Sequence, residues 1–161
     1  MTRASGNAGK GVFSNRIKIL KALKKAKTRF AVIGGVALNL HGIVRATKDL
    51  DLLIPKDVKN ARKILDVLSK TQTWGMARDL VPEDIAQKPF TIIGDQPRVD
   101  LLTVAGKLVF EKIEGRLILV KVGGMLIPCV NLEDLIETKR TGRPSDDADI
   151  EQLKYLRRLE K

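Results

Sequence analysis

Three aspartates in this sequence have the residue type and the spacing for metal chemistry. Asp49 and Asp51 are separated by one residue in the segment 48–54, which is predicted to be a strand with Leu50, Leu52 and Ile54 on one side and Asp49, Asp51 and Leu53 on the other. A strand places side chains i and i+2 on the same face, so these two carboxylates can share a cation. Asp100 interrupts a second apolar segment, 98–103, and is the candidate third ligand. Mg²⁺ prefers hard carboxylate oxygens, and two such ions held about 4 Å apart serve in-line phosphoryl chemistry.

A glycine pair lies upstream of the paired aspartates. Gly34 and Gly35 separate a predicted short strand, 30–33, from a predicted helical segment, 36–40. Backbone N–H groups at such a junction can approach and cradle a phosphate. Taken alone, the glycine pair is only a turn, and the aspartates could mark the solvent face of a sheet. The order strand, glycine pair, helix and aspartate-bearing strand favours a phosphate site beside a metal site.

The elements that would position these residues form one domain. The predicted fold class is α+β (mixed α/β), a single mixed β-sheet with helices packed on it. Residues 1–12 are predicted to be a disordered tail, and 13–161 the folded domain. The predicted strand pairs are 90–93 with 98–103, turned through 94–97, and 117–122 with 125–130. The predicted helices are 14–27 capped by Ser14, 58–68 capped by Asp57, one turn from Pro82, 131–140 capped by Asn131, and 145–159 capped by Ser145.

Charge is the unusual feature of the composition. The 161-residue chain carries a net charge of +11, which favours polyanionic partners because phosphate contacts release counterions, although a general solubility bias would give the same number. Aromatic residues are only 4%, which argues against extensive stacking on single-stranded bases. No apolar run is long enough to cross a bilayer, and no secretory signal is recognisable, so we expect no membrane contact. The single cysteine, Cys129, is predicted to fill the core, which suits a cytoplasmic setting.

Residues 30–55, FAVIGGVALNLHGIVRATKDLDLLIP, resemble the core signature of the DNA-polymerase-β-type nucleotidyltransferase superfamily. In that superfamily a GG or GS turn precedes a D-x-D strand, and a third Asp lies on a later strand. The pattern G-x-x-R-x-T-x-D-x-D is most similar to the minimal and AbiEii-like branches, which are often encoded in toxin–antitoxin or phage-defence systems. Residues 131–153, NLEDLIETKRTGRPSDDADIEQL, also resemble that branch, where a helical Lys is followed by R-x-x-D-x-x-D.

The resemblance implies an enzyme that transfers a nucleoside monophosphate from an NTP, such as ATP, to a hydroxyl. It implies that Asp49, Asp51 and Asp100 are catalytic and bind Mg²⁺, with two ions expected, and that Asp100 helps to deprotonate the acceptor hydroxyl. The implied nucleotide-binding residues are Gly34, Gly35, Arg45, Thr47, Lys139 and Arg143. The positive charge favours an RNA 3′ end, particularly tRNA, as acceptor. A protein acceptor, a small molecule, and a partner protein from a toxin–antitoxin pair are the further possibilities.

Several residues keep two interpretations. Lys139 falls in helical phase with Leu132, Leu135 and Ile136, so it either extends past the core to solvent or reaches the triphosphate. Arg143 binds phosphate or is merely exposed, and Arg45 and Thr47 touch phosphate or brace the aspartates. Asp146 and Asp149 complement a helix dipole or orient Lys139 and Arg143. His41 is interpreted as a packing or capping residue.

Two other functional classes compete with the enzyme. A non-catalytic nucleotide-binding, RNA-binding or antitoxin module of the same fold would lose the third carboxylate, and Asp100 is present. A plain RNA-binding domain would leave the spacing from the glycine pair to the aspartates unexplained.

Overall fold

The computed structural model describes residues 10–71, 76–94 and 97–160, which form a mixed six-stranded sheet with helices packed against it. The order of the strands across the sheet is β3-β4-β2-β1-β6-β5. Strand pairs β2/β4 and β1/β6 are parallel, and the other neighbours are antiparallel. The strands are β1 (Ala31–Ile33), β2 (Asp49–Leu53), β3 (Phe90–Ile93), β4 (Arg98–Leu102), β5 (Ile118–Val122) and β6 (Met125–Cys129). The mixed α/β single-domain prediction is confirmed.

Helices surround the sheet and complete the core. Helix α2 packs on β1 and β2, α1 packs on β6 and α3, and α6 packs on α7. Two short 3₁₀ turns, Met76–Asp79 and Glu114–Arg116, lie between the longer elements. The helices are α1 (Lys10–Lys25), α2 (Gly34–Leu40), α3 (Val58–Thr71), α4 (Pro82–Gln87), α5 (Phe110–Ile113), α6 (Leu132–Thr138) and α7 (Pro144–Leu159). No helix in the described ranges combines the length and the apolar character needed to cross a membrane.

Strand β2 divides its side chains between core and site. Leu50 and Leu52 are fully buried, whereas Asp49 and Asp51 on the opposite face are partly exposed. Because β2 lies between β1 and β4 at the centre of the sheet, its backbone is held on both sides. The hydrophobic face therefore fixes the direction in which the two carboxylates project.

Most predicted elements are confirmed, including two helix caps. The Asp57 carboxylate accepts from the Asn60 backbone N–H at 3.1 Å, and the Asn131 side chain accepts from the Asp134 N–H at 2.8 Å. Cys129 is fully buried, as predicted. His41 lies with Nε2 2.8 Å from the Val130 carbonyl oxygen, which agrees with a packing role.

Several predicted helix boundaries were wrong. Helix α1 begins at Lys10, so Ser14 lies inside the helix and is not its cap. Residues 10–12 of the predicted tail are therefore helical, and residues 1–9 lie outside the described ranges. Helix α7 begins at Pro144, because proline at the first helical position has its φ already set for a helix, and Arg143 rather than Ser145 is the N-cap.

Two further differences concern shorter features. Helix α5 was not predicted, because four residues are too few to show a helical periodicity. Val58, which was assigned to the core stripe of α3, is 38% exposed because it is the first residue of that helix. The predicted turn 94–97 is described only at its two ends.

Candidate active site

The carboxylates of Asp49, Asp51 and Asp100, here called the acidic cluster, meet on neighbouring central strands. In the parallel pairing of β2 with β4, Asp51 is directly opposite Asp100 and Asp49 is opposite Arg98. Side chains opposite one another in a sheet lie on the same face and within contact distance. The structure thus brings together all three carboxylates that the sequence singled out.

Asp51 carries the strongest sign of crowded negative charge. The pKa of Asp51 is raised to about 7. The causes, from the largest to the smallest, are burial, repulsion by Asp100, a hydrogen bond with Asp100 and repulsion by Asp49, and Arg98 has a smaller opposing effect. A carboxyl group whose ionisation is suppressed in this way ionises more readily once a cation is supplied. The cluster is therefore arranged to gain from an additional positive charge.

Arg98 bridges the two outer members of the acidic cluster. Its Nε donates to Asp100 Oδ1 at 3.0 Å, and its Nη2 donates to Asp100 Oδ2 at 3.1 Å and to Asp49 Oδ2 at 2.8 Å. The hydrogen bond and the charge of Asp100, with Asp49 and Asp51 further off, raise the pKa of the Arg98 guanidinium above its ordinary value. Arg98 was not among the predicted site residues, although its position two residues before Asp100 in the same strand placed it on the same face.

The glycine pair lies directly against the acidic strand. Gly34 has a φ of +69°, which favours glycine, and a Cβ at this position would collide with Asp51 Oδ2. A Cβ at Gly35 would lie 2.8 Å from Cβ and Oγ1 of Thr47. Glycine at both positions thus lets the first turn of α2 approach β2 without displacing Asp51 or Thr47. The backbone N–H groups of this turn are beside the carboxylates, as a phosphate cradle requires.

Arg16, on α1, is hydrogen-bonded to the segment that precedes β2. Its side chain is buried, its Nη2 donates to the carbonyl oxygen of Thr47, and its Nε has no hydrogen-bond partner within the described ranges. Burial lowers the pKa of Arg16, and the charge of Asp49 partly opposes that shift. The hydroxyl of Thr47 in turn donates to the Asp49 carbonyl at 3.2 Å. Arg16 gave no sequence signal, because a lone arginine in a lysine-rich helix is indistinguishable from a surface residue.

The other predicted nucleotide-binding residues form a second group, here called the ion network: Arg45, Lys139, Arg143, Asp146 and Asp149. Lys139 Nζ is 3.2 Å from Asp149 Oδ2 and 3.6 Å from Asp146 Oδ1, and Arg45 pairs with Asp149 Oδ1. Arg143 Nε donates to Asp146 Oδ2 at 2.9 Å. Both carboxylates are almost completely buried. Asp146 contacts Lys139 and Arg143, and Asp149 contacts Lys139, as expected if the two aspartates orient these cations.

Hydrogen bonding keeps Asp146 ionised within the ion network. Burial alone would raise the pKa of Asp146, but the Thr141 hydroxyl, which donates at 2.5 Å, together with Lys139 and Arg143 lowers it. Lys139 is the C-cap of α6 and turns inward rather than to solvent, whereas the Arg143 side chain is 73% exposed. Arg143 thus remains accessible to a ligand while Lys139 is held by two carboxylates.

The acidic cluster has the chemistry of a divalent-cation site. Its donors are all carboxylate oxygens, and its negative charge exceeds that of the guanidinium in contact with it. Within the described ranges no three acidic, His or Cys side chains are already arranged around a common metal position. These carboxylate oxygens suit a divalent cation such as Mg²⁺. In the structure, the guanidinium of Arg98 lies between Asp49 and Asp100.

Three solved structures that share this fold are described as an adenylyltransferase, a putative nucleotidyltransferase and a nucleotidyltransferase-like protein. The lincomycin-bound lincosamide antibiotic adenylyltransferase LnuA superimposes with a TM-score of 0.57 at 16% identity, covering 89% of this chain and 96% of that one. A putative nucleotidyltransferase from Thermotoga maritima gives 0.54 at 17% identity, covering 91% of each chain. An antigenic nucleotidyltransferase-like protein from Paracoccidioides brasiliensis gives 0.53 at 16% identity, covering 94% of this chain and 77% of that one. No curated protein matches the chain significantly.

A family model spans almost the whole fold. It matches residues 16–156, from the buried Arg16 to the last turns of α7, and so contains both the acidic cluster and the ion network. The broad superfamily resemblance seen in the sequence is confirmed by this match, whereas the AbiEii-like branch is not. The chain belongs to the aminoglycoside-2''-adenylyltransferase family and is a nucleotidyltransferase.

Proposed function

We propose that this protein transfers a nucleoside monophosphate from an NTP to a hydroxyl acceptor, using Mg²⁺ held by Asp49, Asp51 and Asp100. The observation that carries the proposal is the convergence of these three carboxylates beside the turn at Gly34 and Gly35. When bound, two Mg²⁺ ions would neutralise the triphosphate and polarise the reacting oxygens.

The chain's own groups have separate tasks in this reaction. The backbone at Gly34 and Gly35 holds the triphosphate close to the acidic cluster. Asp100 accepts the proton of the acceptor hydroxyl, whose oxygen forms a bond to the α-phosphorus as the bond to pyrophosphate breaks. Catalysis of this kind consists mainly of positioning and charge neutralisation.

The ion network supplies positive charge for the phosphates in this proposal. Three cationic side chains share two carboxylates, so the group retains a surplus of positive charge. Arg143 is the exposed member and the natural phosphate contact, while Lys139 contributes its charge from a fixed position. Arg45 links the network to the segment before β2, and Thr47 in that segment braces Asp49.

Charge favours RNA, such as the 3′ end of a tRNA, as the acceptor. Aminoglycosides, which give the family its name, are polycations, and a protein of net charge +11 repels them at long range. Exposed cationic side chains lie on α1 and α3, two helices that pack together: Lys18, Lys25, Lys59, Arg62, Lys63 and Lys70. Such a surface suits a phosphate backbone. A protein acceptor, and with it a partner in a toxin–antitoxin pair, is the second candidate that the AbiEii-like sequence pattern favours.

Labelled nucleotides test the reaction and identify the acceptor together. The protein is incubated with each α-labelled NTP and Mg²⁺, in separate reactions with total RNA, cell protein, an aminoglycoside and a lincosamide. We expect labelled RNA from the native protein and none from the Asp49→Asn, Asp51→Asn double variant. The matched control replaces two exposed aspartates, Asp66→Asn and Asp79→Asn, and should retain activity.

Each alternative result has a definite meaning. Label on an aminoglycoside would contradict the RNA assignment while supporting the transfer chemistry. Absence of label with every nucleotide and every acceptor would favour the non-catalytic binding or antitoxin module.

A further inference from the structure

Arg98 occupies the oxygens that a divalent cation needs. It takes both carboxylate oxygens of Asp100 and Oδ2 of Asp49 through three hydrogen bonds between 2.8 and 3.1 Å. A carboxylate oxygen paired with a guanidinium in this way is directed at the guanidinium plane. Each Asp100 oxygen keeps a second lone pair, but a cation bound there would lie beside the guanidinium, whose positive charge repels it, so Arg98 opposes metal binding until it moves away.

The arrangement of the carboxylates agrees with such a competition. Three acidic side chains share one face of β2 and β4, yet in the described ranges they do not surround a common metal position. The guanidinium separates Asp49 from Asp100, while Asp51 lies directly opposite Asp100 in the pairing of β2 with β4. Arg98 thus stabilises a spacing of the carboxylates that differs from a closed ligand set.

Arg98 can also leave. Its side chain is 41% exposed, whereas that of Asp100 is 13% exposed, so the arginine approaches the cluster from the solvent side. Its backbone is fixed in β4, opposite Asp49, which keeps the guanidinium within reach when it is released. A long, partly exposed side chain on a rigid strand can change rotamer without disturbing the sheet.

We infer that Arg98 is a resident counter-cation, which holds Asp49 and Asp100 together in the metal-free protein and is displaced when a divalent ion binds. This inference rests on the proposed function, because it assumes that the acidic cluster is the metal site. Arg98 stabilises the metal-free fold and opposes metal binding by the same contacts. Entry of the metal then exchanges one cation for another and avoids a state in which the three carboxylates have no partner.

Metal binding and unfolding of an Arg98 variant test the exchange without a catalytic assay. Arg98→Met removes the guanidinium and keeps much of the side-chain volume. We expect the melting temperature of the metal-free variant to fall, and its affinity for Mn²⁺, measured by electron paramagnetic resonance without nucleotide, to rise about tenfold. Arg98→Lys keeps a charge but loses the forked contact, so both effects should have the same sign and a smaller size. If Arg98→Met fails to fold, the melting temperature and Mn²⁺ affinity of Arg98→Lys test the inference.

Arg29 offers a matched control. Its guanidinium pairs with Glu114 through two contacts of 2.9 Å, and its side chain is 42% exposed, close to the value for Arg98. Arg29→Met removes the same charge from a guanidinium whose ionic partners, Asp57 and Glu114, are not members of the acidic cluster, so it should leave Mn²⁺ affinity unchanged. Asp49→Asn should abolish Mn²⁺ binding.

The possible failures are distinguishable. Unchanged or weaker Mn²⁺ binding by Arg98→Met and Arg98→Lys, with binding still lost in Asp49→Asn, would overturn the counter-cation role and leave the proposed function standing. Absence of Mn²⁺ binding by the native protein, with or without an NTP analogue, would overturn both.

Discussion

The acidic cluster and the ion network contain similar side chains but balance their charges in opposite ways. The acidic cluster has three carboxylates and one guanidinium, that of Arg98, which pairs with Asp49 and Asp100. In the ion network, two carboxylates share three cationic side chains, and both carboxylates are almost completely buried. The first group has surplus negative charge and the second surplus positive charge. In the proposed function, the negative surplus suits a metal ion and the positive surplus suits a phosphate.

The two groups also differ in what they do for the fold. The ion network ties α7 and the end of α6 to the segment before β2 through Arg45 and Asp149. Removing one partner there leaves a buried charge uncompensated, which costs folding free energy. In the acidic cluster, removing Asp51, which is buried and crowded by Asp100 and Asp49, relieves repulsion. Substitution of Asp51 should therefore lower activity without lowering stability, whereas substitution of Asp149 in the ion network should lower stability.

The largest expected effect is on the rate of transfer. Asp51→Asn removes a proposed metal ligand, and we expect the single-turnover rate to fall about a thousandfold because charge neutralisation at the triphosphate is lost. The melting temperature of the metal-free protein should stay the same or rise. A parallel loss of activity and stability would remove the contrast between the two groups.

The converse substitution is Asp149→Asn in the ion network. It leaves Arg45 without its charge partner and Lys139 with Asp146 alone, so we expect the free energy of unfolding to fall by about 3 kcal/mol in urea titrations. Asp147→Asn, at an exposed position of the same helix, is the control and should cost less than about 1 kcal/mol. An equal decrease in the free energy of unfolding in the two variants would show that the buried ion pairs of Asp149 do not stabilise the fold.

Two glycines separate backbone strain from crowding of the site. Gly34 and Gly124 have φ values of +69° and +81°, so Ala at either position should cost about 1 kcal/mol of stability. A Cβ at Gly34 would collide with Asp51, whereas a Cβ at Gly124 meets nothing within 4 Å. We expect kcat/KM to fall about a hundredfold in Gly34→Ala alone, because Asp51 is displaced. Similar activities for the two variants would contradict the close approach of α2 to the acidic cluster.

The smallest effect is on the pH dependence of stability. Burial, together with Asp100 and Asp49, raises the pKa of Asp51 to about 7, so the folded metal-free protein holds a proton that the unfolded chain releases near its ordinary value. The resulting stabilisation is complete below the unfolded pKa and is lost as pH rises through about 7. Melting temperatures of the native protein at pH 5 and pH 8 should show this decline, and Asp51→Asn should reduce it. An equal decline in both proteins would assign it to other groups.

The sequence was sufficient for the elements that carry a local pattern. The alternation through Asp49 and Asp51 predicted β2, and the capping residues Asp57 and Asn131 predicted the starts of α3 and α6. The boundaries of α1 and α7 were wrong because Ser14 and Ser145 looked like caps, whereas the helix at Pro144 starts with a residue whose φ is fixed.

Long-range partners were harder to predict. That Asp100 meets Asp51 depends on the register of two parallel strands, which no local pattern determines. Asp100 was expected as the third ligand because it interrupts an apolar segment and because of the family resemblance. Arg98 shares a strand face with Asp100 and could have been found from that spacing alone. Arg16 could not be found from the sequence, because its role depends on its burial and on its hydrogen bond to the carbonyl oxygen of Thr47, which is distant in the sequence.

A crystal structure with Mn²⁺ and a non-hydrolysable NTP analogue tests the central claim most directly. We predict anomalous density within about 2.2 Å of carboxylate oxygens of Asp49, Asp51 and Asp100, with the triphosphate against the turn at Gly34 and Gly35. Mn²⁺ and triphosphate bound elsewhere, with Arg98 still paired to Asp49 and Asp100, would contradict the assignment of the acidic cluster as the metal site.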